Sequence, residues 1–505
     1  MEPDIKNILI LGGGTAGWAC AAVLGQRAAK HGVSLTVVDA ADIPTIGVGE
    51  ATIPTIYDLL NHVGMTDSEV VKAAQATFKY GIQFEGWSRP GETYMHGFGT
   101  TGTPRGEDDF FTTWLGGGAY FSSRTLDAFT PAVAAARKGR FARVAERPAG
   151  AAQHLYYPLC ELSYALHFDA ALLARELRAN ALRNGVVHRS NKIVAVETGE
   201  RGIAALRTGD GELIEADFFI DCSGLTGVLS RAALGGTFED WRAYLPCDRA
   251  IAVQTARSTA PKPYTRSVAH RAGWRWEIQL QSRTGNGCVY SSDHMSDDEA
   301  TDLLMSEVAG EPINQPRRID FRTGRLAEPW DANCVALGLA AGFLEPLEST
   351  SIHLISKYAL LLEQMLFDNA GEADDRGRFN AMWRAETEEI RDFLSAHYVV
   401  NQRDEPFWTE RRNAKRPPSL DCKLQAFAQT GWFDLPDHAL FGHDSWFQVL
   451  IGQGFALDYL RFAIPRADAP GLLQFLQNVA RAVDVETSAI PRSHQQVIHS
   501  LVEGG

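Results

Sequence analysis

Four short stretches of this sequence hold residue types that could do chemistry. In TFKYGIQFEGW (77–87), Phe78, Tyr80, Ile82 and Phe84 alternate with Lys79, Gly81 and Gln83, the two-residue period of a strand. A lysine on such a strand commonly snorkels to water. Buried instead, it would fall from a pKa of roughly 10.4 towards neutrality and expose a nucleophilic amine. In GFLEPLESTSIH (342–353), Glu345 and Glu348 precede Ser349, Thr350 and Ser351 at the head of an apolar helical run. Free N–H groups there could hold a small anion such as a halide, although an ordinary Ser- or Thr-capped helix start has the same pattern. YMHGFG (94–99) sets His96 and Phe98 on one face of an extended segment, where a lone histidine is commonly structural. GWRWEIQL (273–280) puts Trp274, Trp276 and Ile278 on one strand face, either as core or as a steric wall.

These residues need a scaffold, and the N-terminus predicts one. KNILILGGGTAGWACAAVLGQRA (6–28) reads as a buried strand, a glycine turn and a helix. Gly12, Gly14 and Gly17 form G-x-G-x-x-G, and a second strand, SLTVVDA (34–40), ends at Asp39. The first glycine permits the tight turn, the second lets N–H groups approach a diphosphate, and the third allows close helix packing. Asp39 can accept from a ribose hydroxyl. Strand context and the placed acid together predict a dinucleotide site, for NAD or for FAD. Late strands at ADFFIDCSG (216–224) and NCVALGLAAGFLEP (333–346) favour FAD, as in the large monooxygenase-like flavoproteins. No second G-x-G-x-x-G occurs, so reduced flavin must come from elsewhere. Residues 167–185 read as a helix ending at Gly185, residues 240–295 as strand-rich, and the chain after about 350 as mostly helical.

Composition narrows the function classes. The 505 residues are 45% hydrophobic and 22% charged, with a formal charge of −14, which argues against a nucleic-acid partner. The one basic patch, Arg137 to Arg147, reads as a solvated face. No apolar run approaches the ~18 residues a membrane-spanning helix needs; VALGLAAGFL (335–344) is the longest. The acidic start, Met1 to Asp4, reads as neither a secretory nor a transit signal. Seven scattered cysteines without a C-x-x-C pair predict a reducing cytoplasm, no disulfide framework and no metal site.

Taken in order, GGGTAGW, IGVGEATIP (46–54), FKYGIQFEGW, YMHGFG, DCSG, GWRWEI, GFLEPLEST and HYVVNQRDEPFW (397–408) resemble the flavin-dependent tryptophan halogenases. The resemblance implies an enzyme in which reduced FAD and O2 oxidise bromide or chloride to hypohalous acid. That oxidant passes through an internal tunnel to Lys79, which forms a haloamine or polarises it by a hydrogen bond. Glu348 stabilises the cationic arene and helps accept its proton, or orients the oxidant, and N–H groups of Thr350 and Ser351 hold the halide. FAD contacts are expected at Gly12, Gly14, Thr15, Ala16, Gly17, Asp39, Gly49, Glu50, Ala51, Ile193, Leu339 and Ile352. Trp274 and Trp276 would keep substrate off the flavin, and His96, Phe98, Trp446 and Phe447 would line the substrate site.

Three departures stand out. Gln279 replaces the proline usual in the W-x-W-x-I-P element, and Ser351 replaces a glycine, where a Cβ demands a compatible φ. In LFGHDSWFQVLIG (440–452) no partner for an α-amino group can be aligned, which favours indole or another electron-rich aromatic over free tryptophan. The implied fold class is α/β: an FAD-binding, Rossmann-like core over 1–350 with inserted elements at about 90–165 and 240–295, then a mostly helical cap over 351–505 contributing to the substrate pocket. A separate NAD(P)H-dependent flavin reductase is the implied partner, a homodimer is compatible, and bromination is expected to be at least as fast as chlorination. The competing readings are a flavin monooxygenase of an aromatic substrate and a catalytically silent FAD-binding protein.

Overall fold

The computed structural model describes residues 5–40, 49–121, 125–143, 159, 162–368, 374–437 and 439–503. The acidic start, the 46–48 part of IGVGEATIP and the 144–147 end of the basic patch lie outside the described residues. The chain forms two compact units, each built from three segments. The first comprises Met1–Ala76, His167–Asp248 and Ile319–Glu388; the second comprises Thr77–Leu166, Arg249–Arg318 and Glu389–Gly505. The boundary expected at 350 falls inside the first unit, at the head of the helix Ser351–Phe367. Compactness separates the chain by layer, because it leaves and re-enters each layer.

In the first unit the strand Asn7–Leu11 lies between Phe218–Asp221 and Ser34–Asp39. Outside these run Cys334–Ala336 on one side and Val187–Ser190 on the other, all parallel. Trp330–Asp331 adds a short antiparallel edge. Leu9 and Leu11 pack with Ile203, Leu206 and Ile214 of an antiparallel sheet laid against the parallel one. Ile8 and Ile10 point to the opposite face and are also buried. That two-sided burial is why the strand reads as an unbroken apolar run.

The second unit is built on a sheet in which Arg249–Ala256, Arg283–Tyr290, Gly273–Gln279 and Thr265–His270 are successive antiparallel neighbours. Gly81–Glu85 joins parallel to the last of these, and Thr93–Gly97 closes the row antiparallel. Trp276 faces Gly287 across the ladder, and a Cβ on that glycine would sit 2.0 Å from the indole. The small residue makes room for the large one. Helices such as Pro418–Thr430, His443–Gly452 and Ala469–Ser488 complete this unit. No helix among the described residues is long and apolar enough to cross a membrane.

Candidate active site

The glycine turn in the first unit is cut to the dimensions of a diphosphate cradle. Gly12 has φ +118°, and a Cβ there would sit 2.2 Å from Cys222 O; one on Gly17 would sit 1.8 Å from Gly12 O. Neither position tolerates a side chain. At Gly14 a Cβ would meet nothing within 4 Å, so space opens beside the helix Thr15–Lys30. That helix has no side-chain cap and no acid in its first turn, leaving the N–H groups around Thr15, Ala16 and Gly17 for a ligand anion. The residues therefore fit the diphosphate of a flavin dinucleotide.

Around the cradle, Asp39 closes its strand and its Oδ1 accepts from His188 Nε2 at 2.9 Å. Sequence reasoning missed His188, which lies 149 positions away and carries no local signal. Leu339 lies in the turn Gly338–Ala340, whose Gly338 has φ +63° and would place a Cβ 2.7 Å from that of Ala16. Ile193 opens a strand and packs against the cluster of Leu9, Leu11 and Val38. Gly49 has φ +84°, and Glu50–Ala51 pairs with Phe168 and His167. Burial pushes the Glu50 carboxyl up to about 7.

The turn expected to hold the halide also belongs to the first unit. Pro346–Glu348 is a single 3-10 turn, Ser349 is left-handed at φ 61° and ψ 37°, and Thr350 leads into the helix Ser351–Phe367. Glu345 and Glu348 are both 0% exposed. The helix again lacks a side-chain cap and a first-turn acid, and Thr350 Oγ1 is buried with no hydrogen-bond partner among the described residues. The backbone constraint expected at Ser351 sits two residues earlier. Ser351 is ordinary helix, which a Cβ suits, and the left-handed residue is Ser349. Ile352 is buried beside this turn.

Just beyond, His353 Nδ1 lies 2.8 Å from Thr55 Oγ1 and Nε2 lies 2.8 Å from Glu386 Oε1. Tyr358 donates to Glu386 at 2.9 Å, and Lys357 lies 2.9 Å from it. Burial pushes the Glu386 carboxyl up, but His353 and Lys357 outweigh it and hold the pKa below its usual value. This ring ties the 52–55 loop to the helix start, and no part of it was visible as a sequence motif.

In the second unit Lys79 is 0% exposed on the strand Thr77–Lys79, with Nζ 5.2 Å from the centroid of Phe98. It does not snorkel. Phe98 is fastened by its own N–H, which donates to Tyr80 O at 2.8 Å, so the aromatic face and the lysine share one backbone frame. His96 is buried edge-on to Phe393, 5.7 Å between centroids. Gln448 clamps the neighbouring Gly97, accepting from its N–H at 2.8 Å and donating to its carbonyl at 3.2 Å.

Trp446 and Phe447 were expected to offer faces to a substrate. Instead the helix His443–Gly452 turns both inward. Phe447 is stacked on Phe111 at 4.0 Å, and Trp446 is edge-on to Phe393 and Phe433 with Lys423 Nζ over its ring at 5.6 Å. Their protein partners occupy the contacts a ligand would need. Trp274 and Trp276 are 6.2 Å apart, and Trp274 leans on Trp87 at 6.3 Å inside an aromatic core. Trp276 Nε1 is buried without a hydrogen-bond partner among the described residues. The strand runs on through Gln279, so the proline position is ordinary ladder here, paired with Thr284. Among the described residues no group of three His, Cys, Asp or Glu could hold a metal ion.

A family model described as tryptophan halogenase matches residues 7–464. Tryptophan 6-halogenase ThaL of Streptomyces albogriseolus is 31% identical over 538 aligned positions, covering 99% of this chain and 97% of its own. Among solved structures, BrvH, a flavin-dependent halogenase from Brevundimonas sp. BAL3, superposes with a TM-score of 0.91 at 37% identity, covering 99% of both chains. Xcc4156, a flavin-dependent halogenase from Xanthomonas campestris, gives 0.90 at 37% identity, covering 98% of both. The glycine cradle, the bare helix start after Glu348 and the buried lysine thus stand in a chain that belongs to the tryptophan halogenase family of flavin-dependent enzymes.

Proposed function

We propose that this protein uses FAD, O2 and bromide or chloride to halogenate indole or another electron-rich aromatic, with reduced flavin delivered by a separate NAD(P)H-dependent reductase. The observation that carries this reading is the complete burial of Lys79 beside Phe98. A solvent-facing lysine would have no use for hypohalous acid, which would escape first.

When bound, reduced FAD would supply the two electrons that take O2 to the peroxide level, the oxidant that converts halide to hypohalous acid. Gly12, Gly14 and Gly17 would receive its diphosphate, with Thr15, Ala16, Asp39, Gly49, Glu50, Ala51, Ile193, Leu339 and Ile352 around it. The N–H groups of Thr350 and Ser351 hold the halide at a helix start lacking any acid in its first turn. Lys79 takes the halogen of hypohalous acid, either forming an N–halogen bond and releasing water or donating a hydrogen bond that leaves the halogen electrophilic. The arene attacks that halogen, and Glu348 stabilises the cation and takes up the ring proton. His96 and Phe98 line the arene site. Trp274 and Trp276 are the pair that would keep the substrate off the flavin.

The assay combines the protein with FAD, a flavin reductase, NADH, O2 and either halide, followed by mass spectrometry of indole. A halogen isotope pattern that disappears in Lys79→Ala is the expected result. A gain of one oxygen without halogen would make the protein a monooxygenase, and no product over a broad aromatic panel would favour a silent flavoprotein.

A further inference from the structure

The strand Thr77–Lys79 is three residues long and forms the edge of a small three-stranded sheet, too short a ladder to aim a lysine alone. Segments distant in sequence hold it as well. Thr77 Oγ1 donates to Gln279 O at 2.8 Å, Phe78 N–H donates to His494 Nε2 at 3.0 Å, and Tyr80 N–H donates to Pro263 O at 2.7 Å. The 261–263 segment is anchored in turn. Lys262 N–H donates to Gln279 Oε1 at 2.8 Å, and His494 Nδ1 donates to Pro261 O at 2.9 Å.

His494 closes this ring. Accepting from Phe78 and donating to Pro261 requires the neutral ring in one tautomer, with both nitrogens spoken for. The imidazole is 1% exposed and packs edgewise against Phe78 and tilted against Phe141. Burial pushes its pKa down to about 4, so the neutral form that makes both bonds persists under working conditions. The helix His494–Glu503 that carries it lies past residue 464, where the family match ends.

We propose that His494 is a positioning residue for Lys79: by pinning the Phe78 N–H to the Pro261 carbonyl it fixes the strand on which the lysine stands over Phe98. The proposal rests on the reading of Lys79 as the residue that receives hypohalous acid. A loosened strand would leave oxidant formation running while the halogen misses the arene.

The test is a partition measurement in the holoenzyme. His494→Phe keeps an aromatic ring but removes both bonds; His494→Gln restores one polar contact at nearly the same size. Halogenated indole is measured against oxidant captured in bulk by a thioether scavenger, with Lys79→Ala setting the unguided limit. We expect His494→Phe to shift the partition towards the scavenger at least about fivefold, since sub-ångström misplacement is enough for such losses, while total oxidant stays within about twofold of wild type. His494→Gln should fall between the two.

A second readout needs no turnover: the acylation rate of Lys79 by a water-soluble ester, followed by peptide mass spectrometry, should rise several-fold in His494→Gln. If His494→Phe does not fold, the glutamine variant carries both measurements. A parallel fall of product and total oxidant, or unchanged partition and labelling, overturns the proposal. If wild type makes no halogenated product but the labelling still rises, the positioning role stands and the halogenase reading falls.

Discussion

His494 also makes the protein sensitive to acid in a way that can be worked out. Its pKa is about 4 when folded, against 6.5 as an ordinary histidine, because burial disfavours the charged ring. The unfolded chain therefore binds a proton that the folded chain refuses, and stability falls as pH drops from 6.5 towards 4, levelling off below. No charged group contributes to this shift; the contacts are Phe78 N–H, the Pro261 carbonyl and two aromatic rings. At about 1.4 kcal/mol per pKa unit, the loss reaches about 2 kcal/mol at about pH 5 and about 3 kcal/mol at the acid limit. His270, lowered to about 3 by burial, adds a slope of the same sign, so a difference measurement is required. Urea unfolding of wild type and His494→Gln, read by tryptophan fluorescence at about pH 7.5 and about pH 5, isolates the His494 share. The variant is less stable at neutral pH because it loses a bond, yet it should lose about 2 kcal/mol less on acidification. Equal acid sensitivity in the two proteins would refute the claim that this ring is held neutral.

Other outcomes follow from the same geometry. Gly12→Ala and Gly17→Ala should each weaken FAD binding at least about 100-fold in a fluorescence titration, since the added methyl meets backbone at 2.2 Å and 1.8 Å. Ser351→Gly should leave the halide KM within about twofold while costing about 0.5–1 kcal/mol of stability, because the position is plain helix. Glu50→Gln should raise the melting temperature of the flavin-free protein at neutral pH. A carboxyl pushed from 4.5 up to about 7 contributes stability below pH 4.5 that is lost as pH rises through 7, and the amide has no charge to bury. His353→Ala should destabilise by about 1–3 kcal/mol in urea unfolding, since it removes one of the partners of the buried Glu386 carboxylate while Tyr358 and Lys357 remain.

The features legible in sequence are those whose physics is local. The glycine turn, the two-sided burial of Ile8 to Leu11 and the alternation around Lys79 each depend on residues a few positions apart. What could not be read joins distant residues: Thr77 to Gln279 spans 202 positions, and Phe78 to His494 spans 416. The same blindness explains two misplaced expectations. Periodicity says that Trp446 and Phe447 are buried somewhere, not that protein rings already fill their contacts. A Ser-Thr-Ser run announces a tight turn without saying which serine goes left-handed; only the 3-10 turn before it settles that at Ser349. Gln279 shows how such a departure becomes intelligible. A proline there could offer its carbonyl to Thr77, but it would have no side-chain oxygen for Lys262 N–H. The glutamine makes both contacts. They converge on the segments flanking Lys79, so the end of the tryptophan-bearing strand and the base of the lysine strand form one hydrogen-bonded body. Substituting proline at 279 therefore acts on the lysine frame as well as on the wall, and its effect should be read in the halogen partition before it is read in flavin protection.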